Sequence, residues 1–144
     1  EARLLKDAAE AGHPMVLSDY IPKTHLAMVL GEVARDHGAD THAEVHAAIF
    51  SAYYGDGRDI GTREVLLDIA RAHDIDEAEV VAAWADDTYV ERLKAFANVA
   101  MTLGVSTTPA ALVCDHLIVG TRPYGVLRDA MAKCAPDDGQ HSDA

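Results

Sequence analysis

The pattern of apolar residues changes once along the chain, at Gly104. Before that point, apolar residues recur at helical spacing in one segment after another, and Gly or Pro separates the segments. After it come two short apolar runs, Ala110–Cys114 and Leu117–Gly120, separated by Asp115-His116, which predicts a β-hairpin. Pro123 then opens a final helix. The sequence therefore predicts a mostly helical chain with a single hairpin near its end.

The two predicted strands need hydrogen-bonding neighbours. Both are apolar on both faces, which is typical of strands that are covered on both sides, and an isolated hairpin is only marginally stable in water. The chain offers no convincing further strand, since Met15-Val16-Leu17 is short and lies between Pro14 and Ser18-Asp19. We therefore expect the strands to pair with a segment outside these 144 residues, either upstream of Glu1 or in a second chain.

The residues before Gly104 are predicted to form six helices. Thr24 is expected to cap the second of them, and the third is expected to run from about Asp40 to Tyr54. Asp76 with Glu79 makes a capping-box-like start for the fifth. The sixth helix is predicted to run through Val90, Leu93, Phe96, Ala97 and Ala100. The buried stripe of the final helix is predicted to be Val126, Leu127, Ala130 and Met131.

Charge and cysteine content exclude several classes of function. Twelve basic and 24 acidic residues give a formal net charge of −12, which repels a phosphate backbone and an anionic membrane. No apolar run approaches the ~20 residues that span a bilayer. Cys114 and Cys134 lie far apart and the sequence has no C-x-x-C, so it contains neither a zinc ribbon nor a dithiol site. We expect no nucleic-acid partner, no membrane partner, no bound metal and no catalytic residue in this chain.

Histidine and aromatic residues on the helices raise two further hypotheses. His42 and His46, four positions apart, share a helix face and could hold a metal together with His37 or Asp40. Ordinary surface histidines are the simpler interpretation. Aromatic side chains could also line a small-molecule cleft, although aromatic residues at helical spacing more often belong to a core. The candidates for that lining are Phe50, Tyr53, Tyr54, Trp84 and Tyr89.

The segments around the predicted hairpin carry a family resemblance. Gly104–Pro109 (GVSTTP) is a turn that ends in X-Pro before the first strand, and Gly120–Leu127 (GTRPYGVL) leads from the second strand into a Pro-led helix. This order resembles the closing half of the thioredoxin fold in DsbA-like proteins. It is most similar to the bacterial cytoplasmic branch related to 2-hydroxychromene-2-carboxylate isomerases and polyketide-associated dithiol oxidoreductases. Thr24–Gly38 and Ala48–Ile60 extend the resemblance over nearly the whole chain.

The resemblance implies a domain organisation. The fold would be α/β and mostly α, with a helical insertion over residues 1–103, the C-terminal half of a thioredoxin fold (β-β-α) over 104–134, and a disordered tail over 135–144. It also implies a β-α-β unit before Glu1 that carries a C-x-x-C at a helix N-terminus, where the helix dipole stabilises the attacking thiolate. The implied location is cytoplasmic.

The resemblance also implies the residues that bind substrate. Thr108-Pro109 stands at the position of the family's cis-proline loop, whose backbone binds an extended substrate segment beside the redox site. Thr107 belongs to the same loop, and Arg122 lies on the loop that leads into the closing helix. In the implied topology, Cys114 and Cys134 both finish at the pole opposite Pro109. We expect two inert, partly buried thiols there, with a disulfide as the alternative.

The implied function is part of a protein thiol–disulfide oxidoreductase that acts on protein thiols or on small disulfides. Alone, the chain would be redox-inactive because it lacks a C-x-x-C, and no cofactor is expected. One alternative is a non-catalytic binding or dimerisation module, which would pair through the bare strand edge with itself or with the missing N-terminal segment. Another is a glutathione-dependent isomerase or transferase relative, although those enzymes use a nucleophilic Ser or Cys near the front of the fold.

Overall fold

A computed structural model describes residues 2–13 and 15–134 of the chain. The fold is mostly helical with one small antiparallel sheet, in agreement with the predicted α/β class. The predicted tail over 135–144 lies outside the described residues. None of the helices in the described ranges has the length and apolar character that a bilayer crossing requires. The chain divides into two compact units, Glu1–Leu93 and Lys94–Ala144, so this division lies ten residues before the boundary expected from the sequence.

Helices joined by short loops build the first unit, as the apolar periodicity predicts. The third predicted helix is α-helical only to Phe50 and then continues as one π-helical turn. The elements that lie in or begin in this unit are α1 (Ala2–Glu10), α2 (His25–Asp36), α3 (Ala39–Phe50), the π-helical turn (Ser51–Gly55), α4 (Arg63–Ala72), α5 (Glu77–Ala83) and α6 (Asp87–Thr102).

Helix α2 lies at the centre of the first unit. Its Leu30 and Val33 are completely buried, because apolar residues three and four positions apart fall on one helix face. Helices α3, α4 and α5 pack against α2 and contribute Val45, Leu66 and Val80, which are also completely buried. Each such side chain stabilises the fold by roughly 1.5–3 kcal/mol through the removal of apolar surface from water. The first unit therefore has a continuous hydrophobic core.

The start of α5 differs in part from the predicted capping box. Asp76 is the N-cap residue, and its Oδ1 accepts a hydrogen bond from the backbone N–H of Ala78 at 2.9 Å. The carboxylate of Glu79, which a capping box would direct back to the N-cap, instead lies 3.0 Å from Nε2 of His37. The sequence thus predicted the correct cap residue and the wrong partner for Glu79.

The second unit contains the predicted hairpin and the final helix. Strands β1 (Ala110–Val113) and β2 (His116–Val119) are antiparallel, with Ala110 opposite Val119 and Val113 opposite His116. The turn between them has two residues, and its first, Cys114, has a φ of 55°, in the left-handed region that residues other than glycine rarely adopt. Helix α7 (Tyr124–Cys134) packs against β1. In the described residues the sheet has these two strands alone.

No described residue of the second unit reaches the burial seen around α2. Met131 is 65% exposed, so the prediction that it belongs to a buried stripe of the final helix was wrong. Phe96 of α6 is 49% exposed. Leu112 of β1 is 47% exposed. The physical reason is that two short strands and the packed α7 offer too little apolar surface to cover these side chains.

Candidate functional site

The X-Pro loop of the second unit is set by the end of α6. Gly104 has a φ of 79°, which places it in the left-handed conformation typical of the residue after a helix. Its N–H donates to the carbonyl of Met101 at 3.0 Å, and the N–H of Val105 donates to the carbonyl of Ala100 at 2.9 Å. This is the hydrogen-bond pattern of a Schellman motif. It ends α6 and turns the chain into the segment that contains Thr107, Thr108 and Pro109.

The predicted substrate-binding residues lie at the open end of the hairpin. The Thr108–Pro109 peptide bond is cis. The carbonyl of Pro109 accepts a hydrogen bond from the N–H of Gly120 at 2.8 Å, which holds the two chain segments together one step beyond the strands. Thr107, Thr108, Pro109 and Arg122 are all exposed. The structure therefore brings the X-Pro loop and the segment that carries Arg122 to the same end of the sheet.

The two cysteines lie at the opposite end of the hairpin and are bonded to each other. Sγ of Cys114 and Sγ of Cys134 form a disulfide with a Cα–Cα distance of 6.1 Å. The structure differs here from the expectation of two partly buried free thiols. The packing of the elements explains the bond. Cys114 is at the tip of the hairpin, and α7 packs against β1 so that its last residue, Cys134, lies beside that tip. The exposure of Cys114 also exceeds the expected partial burial.

A second candidate site is a cavity of about 550 Å³ that lies entirely within the first unit. Four rings stacked along α3 and the π-helical turn form one side of it: His42, His46, Phe50 and Tyr54. Their successive ring centroids are 5.8, 4.8 and 5.7 Å apart. We call this row of side chains the aromatic ladder. Residues four apart on a helix lie one above the other, which explains the stacking.

Three of the five predicted cleft aromatics line this cavity, namely Phe50, Tyr53 and Tyr54. The indole N–H of Trp84 donates to the carbonyl of Leu26 at 3.1 Å, and Trp84 packs against the core instead. The hydroxyl of Tyr89 donates to Oδ2 of Asp36 at 3.2 Å, and Tyr89 also packs against the core. The prediction of a cleft lined by aromatic side chains holds for the residues of α3 and the π-helical turn.

A buried carboxylate marks the polar end of the cavity. Glu32 is 4% exposed, and it lies with Met28 and Arg35 on the face of α2 that lines the cavity. Nε of Arg35 donates to its two carboxylate oxygens at 3.1 and 3.2 Å, and Nη1 of Arg92 lies 3.5 Å from Oε2. Burying a carboxylate is tolerated only with such partners. The sequence signal that could have revealed this cluster is Glu32 as the one charged residue within the run Ala27–Ala34.

His42 joins this polar cluster through Arg35. Nη2 of Arg35 lies 3.0 Å from Nε2 of His42. Because a guanidinium can only donate, Nε2 is the acceptor and the imidazole is neutral in this arrangement. Burial, followed by the nearby charge of Arg35, holds the pKa of His42 below its ordinary value. The polar end therefore presents a neutral imidazole beside a compensated ion pair.

A bidentate ion pair supports the cluster on its outer side. Nη1 and Nη2 of Arg92 donate to the two carboxylate oxygens of Asp36 at 2.8 and 3.2 Å. These hydrogen bonds are the main reason that the pKa of Asp36 is lowered, and burial acts in the opposite direction. Burial, followed by the hydrogen bond to Asp36, raises the pKa of Tyr89. Arg92 thus links Asp36 to the buried Glu32.

The metal hypothesis for His42 and His46 finds no support in the geometry. Over residues 2–13 and 15–134, no three His, Cys, Asp or Glu side chains are grouped so that they could hold a metal ion. His42 contacts Arg35, and the ring of His46 stacks on Phe50. His37 contacts Glu79. Each histidine of the proposed group thus has a different structural partner.

Comparison with known families agrees with this geometry. The model of the DSBA-like thioredoxin domain matches residues 3–132. The chain belongs to the DSBA-like thioredoxin domain family. The match covers nearly the whole chain, including the helices of the first unit, the X-Pro loop, the hairpin and most of α7, and it confirms the family predicted from the sequence. No curated protein matches the chain.

Proposed function

We propose that this member of the DSBA-like family provides the substrate-binding part of a protein thiol–disulfide oxidoreductase. The observation that carries the proposal is the exposed loop Thr107–Pro109 at the open end of the hairpin, in a chain that belongs to this family. An extended substrate segment would lie against the loop backbone and gain main-chain hydrogen bonds. Arg122, on the neighbouring segment, would contact the substrate from the side. The substrate class is a protein thiol or disulfide, or a small disulfide.

The dithiol for such a reaction would come from another polypeptide segment. Disulfide exchange requires attack by a thiolate and passes through a mixed disulfide. The printed sequence has no C-x-x-C, and both of its cysteines lie away from the X-Pro loop. The edge of β1 that faces away from β2 has no strand partner among the described residues, and a strand of the dithiol segment would pair there. By its resemblance to the cytoplasmic branch, we place the protein in the cytoplasm.

Redox inactivity of the isolated chain can be tested directly. The chain of 144 residues is mixed with insulin and dithiothreitol, and insulin precipitation is followed by turbidity. We expect the rate to equal that of the buffer control, because the chain has no C-x-x-C and its one cysteine pair, Cys114 and Cys134, lies at the end of the hairpin opposite the X-Pro loop. Catalysis at the rate of an intact thiol–disulfide oxidoreductase would contradict the proposed division of roles.

Substrate binding at the X-Pro loop has a separate test. An extended peptide with a central alkylated cysteine is titrated into the isotope-labelled chain, and amide shifts are followed by NMR. The amides of Thr107 and Thr108 are expected to shift, while that of Asp115, at the other end of the hairpin, stays in place. Arg122→Ala should weaken binding by about threefold or more, since a hydrogen bond to a charged group is lost. Arg128→Ala, on the exposed part of α7, is the matched control; shifts absent from the loop would contradict the proposal.

A second candidate function is self-association through the same strand edge. The observation that favours it is the unpaired edge of β1 together with the exposed Leu112, an arrangement that promotes pairing with another chain. Size-exclusion chromatography with light scattering distinguishes the two functions. A dimer that dissociates after Leu112→Lys would support self-association, whereas a monomer at every concentration would exclude it.

A further inference from the structure

We propose that the cavity of the first unit is a binding site for a planar, uncharged aromatic molecule that carries one hydroxyl or carbonyl group. This site is distinct from the X-Pro loop, and every residue that lines it belongs to the first unit. The inference does not depend on the redox role proposed above. It rests on the cavity's size, on one glycine, on the aromatic ladder and on the charges at the polar end.

The size of the cavity suits a small molecule. Its volume of about 550 Å³ lies within the range of ligand sites, which are mostly apolar with a few polar groups placed to orient the ligand. The cavity is open to solvent, since Ile21, Met28 and Phe50 of its lining are 94%, 50% and 52% exposed. An apolar occupant would remove this surface from water, which is favourable.

Gly31 keeps the cavity open. Gly31 lies in the middle of α2, is buried and lines the cavity. A glycine in a helix interior is destabilising relative to alanine by about 1 kcal/mol. Close packing usually explains such a glycine, but a Cβ built at Gly31 would find no heavy atom within 4 Å. Any larger side chain at this position would project into the cavity. The glycine therefore leaves room in the cavity, and it is not needed for close packing against a neighbouring element.

The aromatic ladder determines the shape of the ligand. The rings of His46, Phe50 and Tyr54 follow one another at centroid separations of 4.8 and 5.7 Å along the same side of the cavity. Phe50 is 52% exposed, so one ring of the ladder is accessible to a molecule in the cavity. Aromatic rings pair with each other in offset or edge-on arrangements that aliphatic groups cannot reproduce. Ala27 and Met28 of α2 add apolar side chains to the lining. A flat aromatic molecule is the ligand whose ring can pair with the ladder while the rest of its surface contacts apolar side chains.

The polar end determines the charge of the ligand. Glu32 and Arg35 line the cavity and cancel each other's charge, and a ligand anion would also meet the field of a chain whose formal net charge is −12. A charged ligand of either sign would lose its hydration in the cavity, and the opposite charges that it would meet there are already compensated by each other. His42 accepts from Arg35 through Nε2 and keeps its other ring nitrogen as a donor. A hydroxyl or carbonyl oxygen is the group that this donor would bind.

Naphthol is the probe for this site, because it is planar, uncharged at neutral pH and carries one hydroxyl. Titration calorimetry with the whole chain is expected to give a dissociation constant of about 10⁻⁴ M, which is ordinary for an efficient ligand of this size. Naphthoate tests the charge, and the saturated analogue decahydronaphthol tests the aromatic shape. Both should bind about tenfold more weakly. Equal binding of either analogue, or no heat with naphthol at about 1 mM, would overturn the proposal.

Gly31→Leu tests the location of the site. A leucine here fills the cavity, so the affinity for naphthol should fall by about tenfold or more. The matched control is Gly125→Leu in α7, where a Cβ also finds no atom within 4 Å and which does not line the cavity. Binding that is unaltered by Gly31→Leu, in a protein whose circular dichroism matches the wild type, would place the ligand elsewhere and refute the site.

Phe50→Ala provides a second test that does not depend on the folding of the first variant. The chain has two phenylalanines, Phe50 at 52% and Phe96 at 49% exposure, and only Phe50 lines the cavity. Loss of one ring contact should weaken naphthol binding by about three- to tenfold in Phe50→Ala and leave it unaltered in Phe96→Ala. Equal effects of the two substitutions would contradict the proposal even if Gly31→Leu fails to fold.

Discussion

Two acidic residues on α2 show that the neighbours of a carboxylate determine whether it is buried and which arginine it binds. Glu32 is buried and is held by Arg35, with Arg92 nearby, whereas Asp36 lies one turn further along with 43% of its side chain exposed and binds Arg92 through both oxygens. The sequence places both carboxylates four positions apart on one helix. Only the tertiary contact between α2 and the start of α6 brings Arg92 to both of them, so the sequence alone does not predict the cluster.

The pKa of Asp36 gives a prediction at this scale. Its carboxyl should titrate below the ordinary value of about 3.9, because the folded state binds the charged form through Arg92. A carboxyl with a lowered folded pKa contributes stability above its unfolded pKa, and that contribution is lost as the pH falls through the folded pKa. Arg92→Gln should raise the pKa toward its ordinary value, as read by carbon NMR. Arg71→Gln, which removes one of the two arginine partners of Asp68 and leaves Asp36 untouched, is the control. An unaltered Asp36 titration in Arg92→Gln would contradict the assignment.

At the scale of elements, two helix starts differ in a way that their sequences do not reveal. Thr24 and Asp76 are both good N-cap residues, and both precede a helix in the structure. The side chain of Asp76 accepts a backbone hydrogen bond, whereas Thr24 has helical dihedral angles and makes no side-chain cap bond. The backbone conformation of the cap residue, which depends on the preceding loop, decides whether its oxygen can reach the first turn.

This difference predicts that replacing the two N-cap residues by alanine lowers the free energy of unfolding by different amounts. Asp76→Ala should lower the free energy of unfolding by about 1 kcal/mol, since it leaves the N–H of Ala78 without its cap. Thr24→Ala should lower it by less than half as much, because no cap bond is lost. Urea denaturation followed by circular dichroism measures both values. A larger loss in Thr24→Ala than in Asp76→Ala would show that the caps are assigned wrongly.

At the scale of the whole molecule, burial is concentrated in the first unit. Every fully buried apolar residue among those described lies between Ala27 and Ala83, and the hairpin and α7 have none. The free energy of unfolding should therefore depend mainly on the core around α2. The second unit is held by its strand pairing, its packing of α7 on β1 and its disulfide.

The same substitution in the two units tests this distribution. Leu30→Ala removes a completely buried side chain and should lower the free energy of unfolding by about 2–5 kcal/mol. Leu112→Ala, at a position that is 47% exposed, should lower it by less than about 1 kcal/mol. Chemical denaturation of both variants gives the comparison. Similar losses at the two positions would mean that β1 belongs to a core as well packed as that of α2.

The sequence by itself determined the elements and the family. Helical spacing of apolar residues predicted the helices of the first unit, and the paired apolar runs predicted β1 and β2, because these patterns reflect local backbone geometry and alternate with clear Gly and Pro signals. The order of GVSTTP, the hairpin and GTRPYGVL was enough to predict the DSBA-like family that the family match confirms.

The tertiary structure alone decided the sites and the burial. Three features join residues from separate elements: the cluster of Glu32, Arg35 and Arg92, the cavity at Gly31, and the disulfide between Cys114 and Cys134. Burial depends on packing in the same way: Met131 lies on the apolar stripe of α7 and is 65% exposed, because a stripe indicates a face that can be buried but not whether another element covers it. Periodicity depends on neighbours along the chain, whereas contacts between elements depend on how those elements pack.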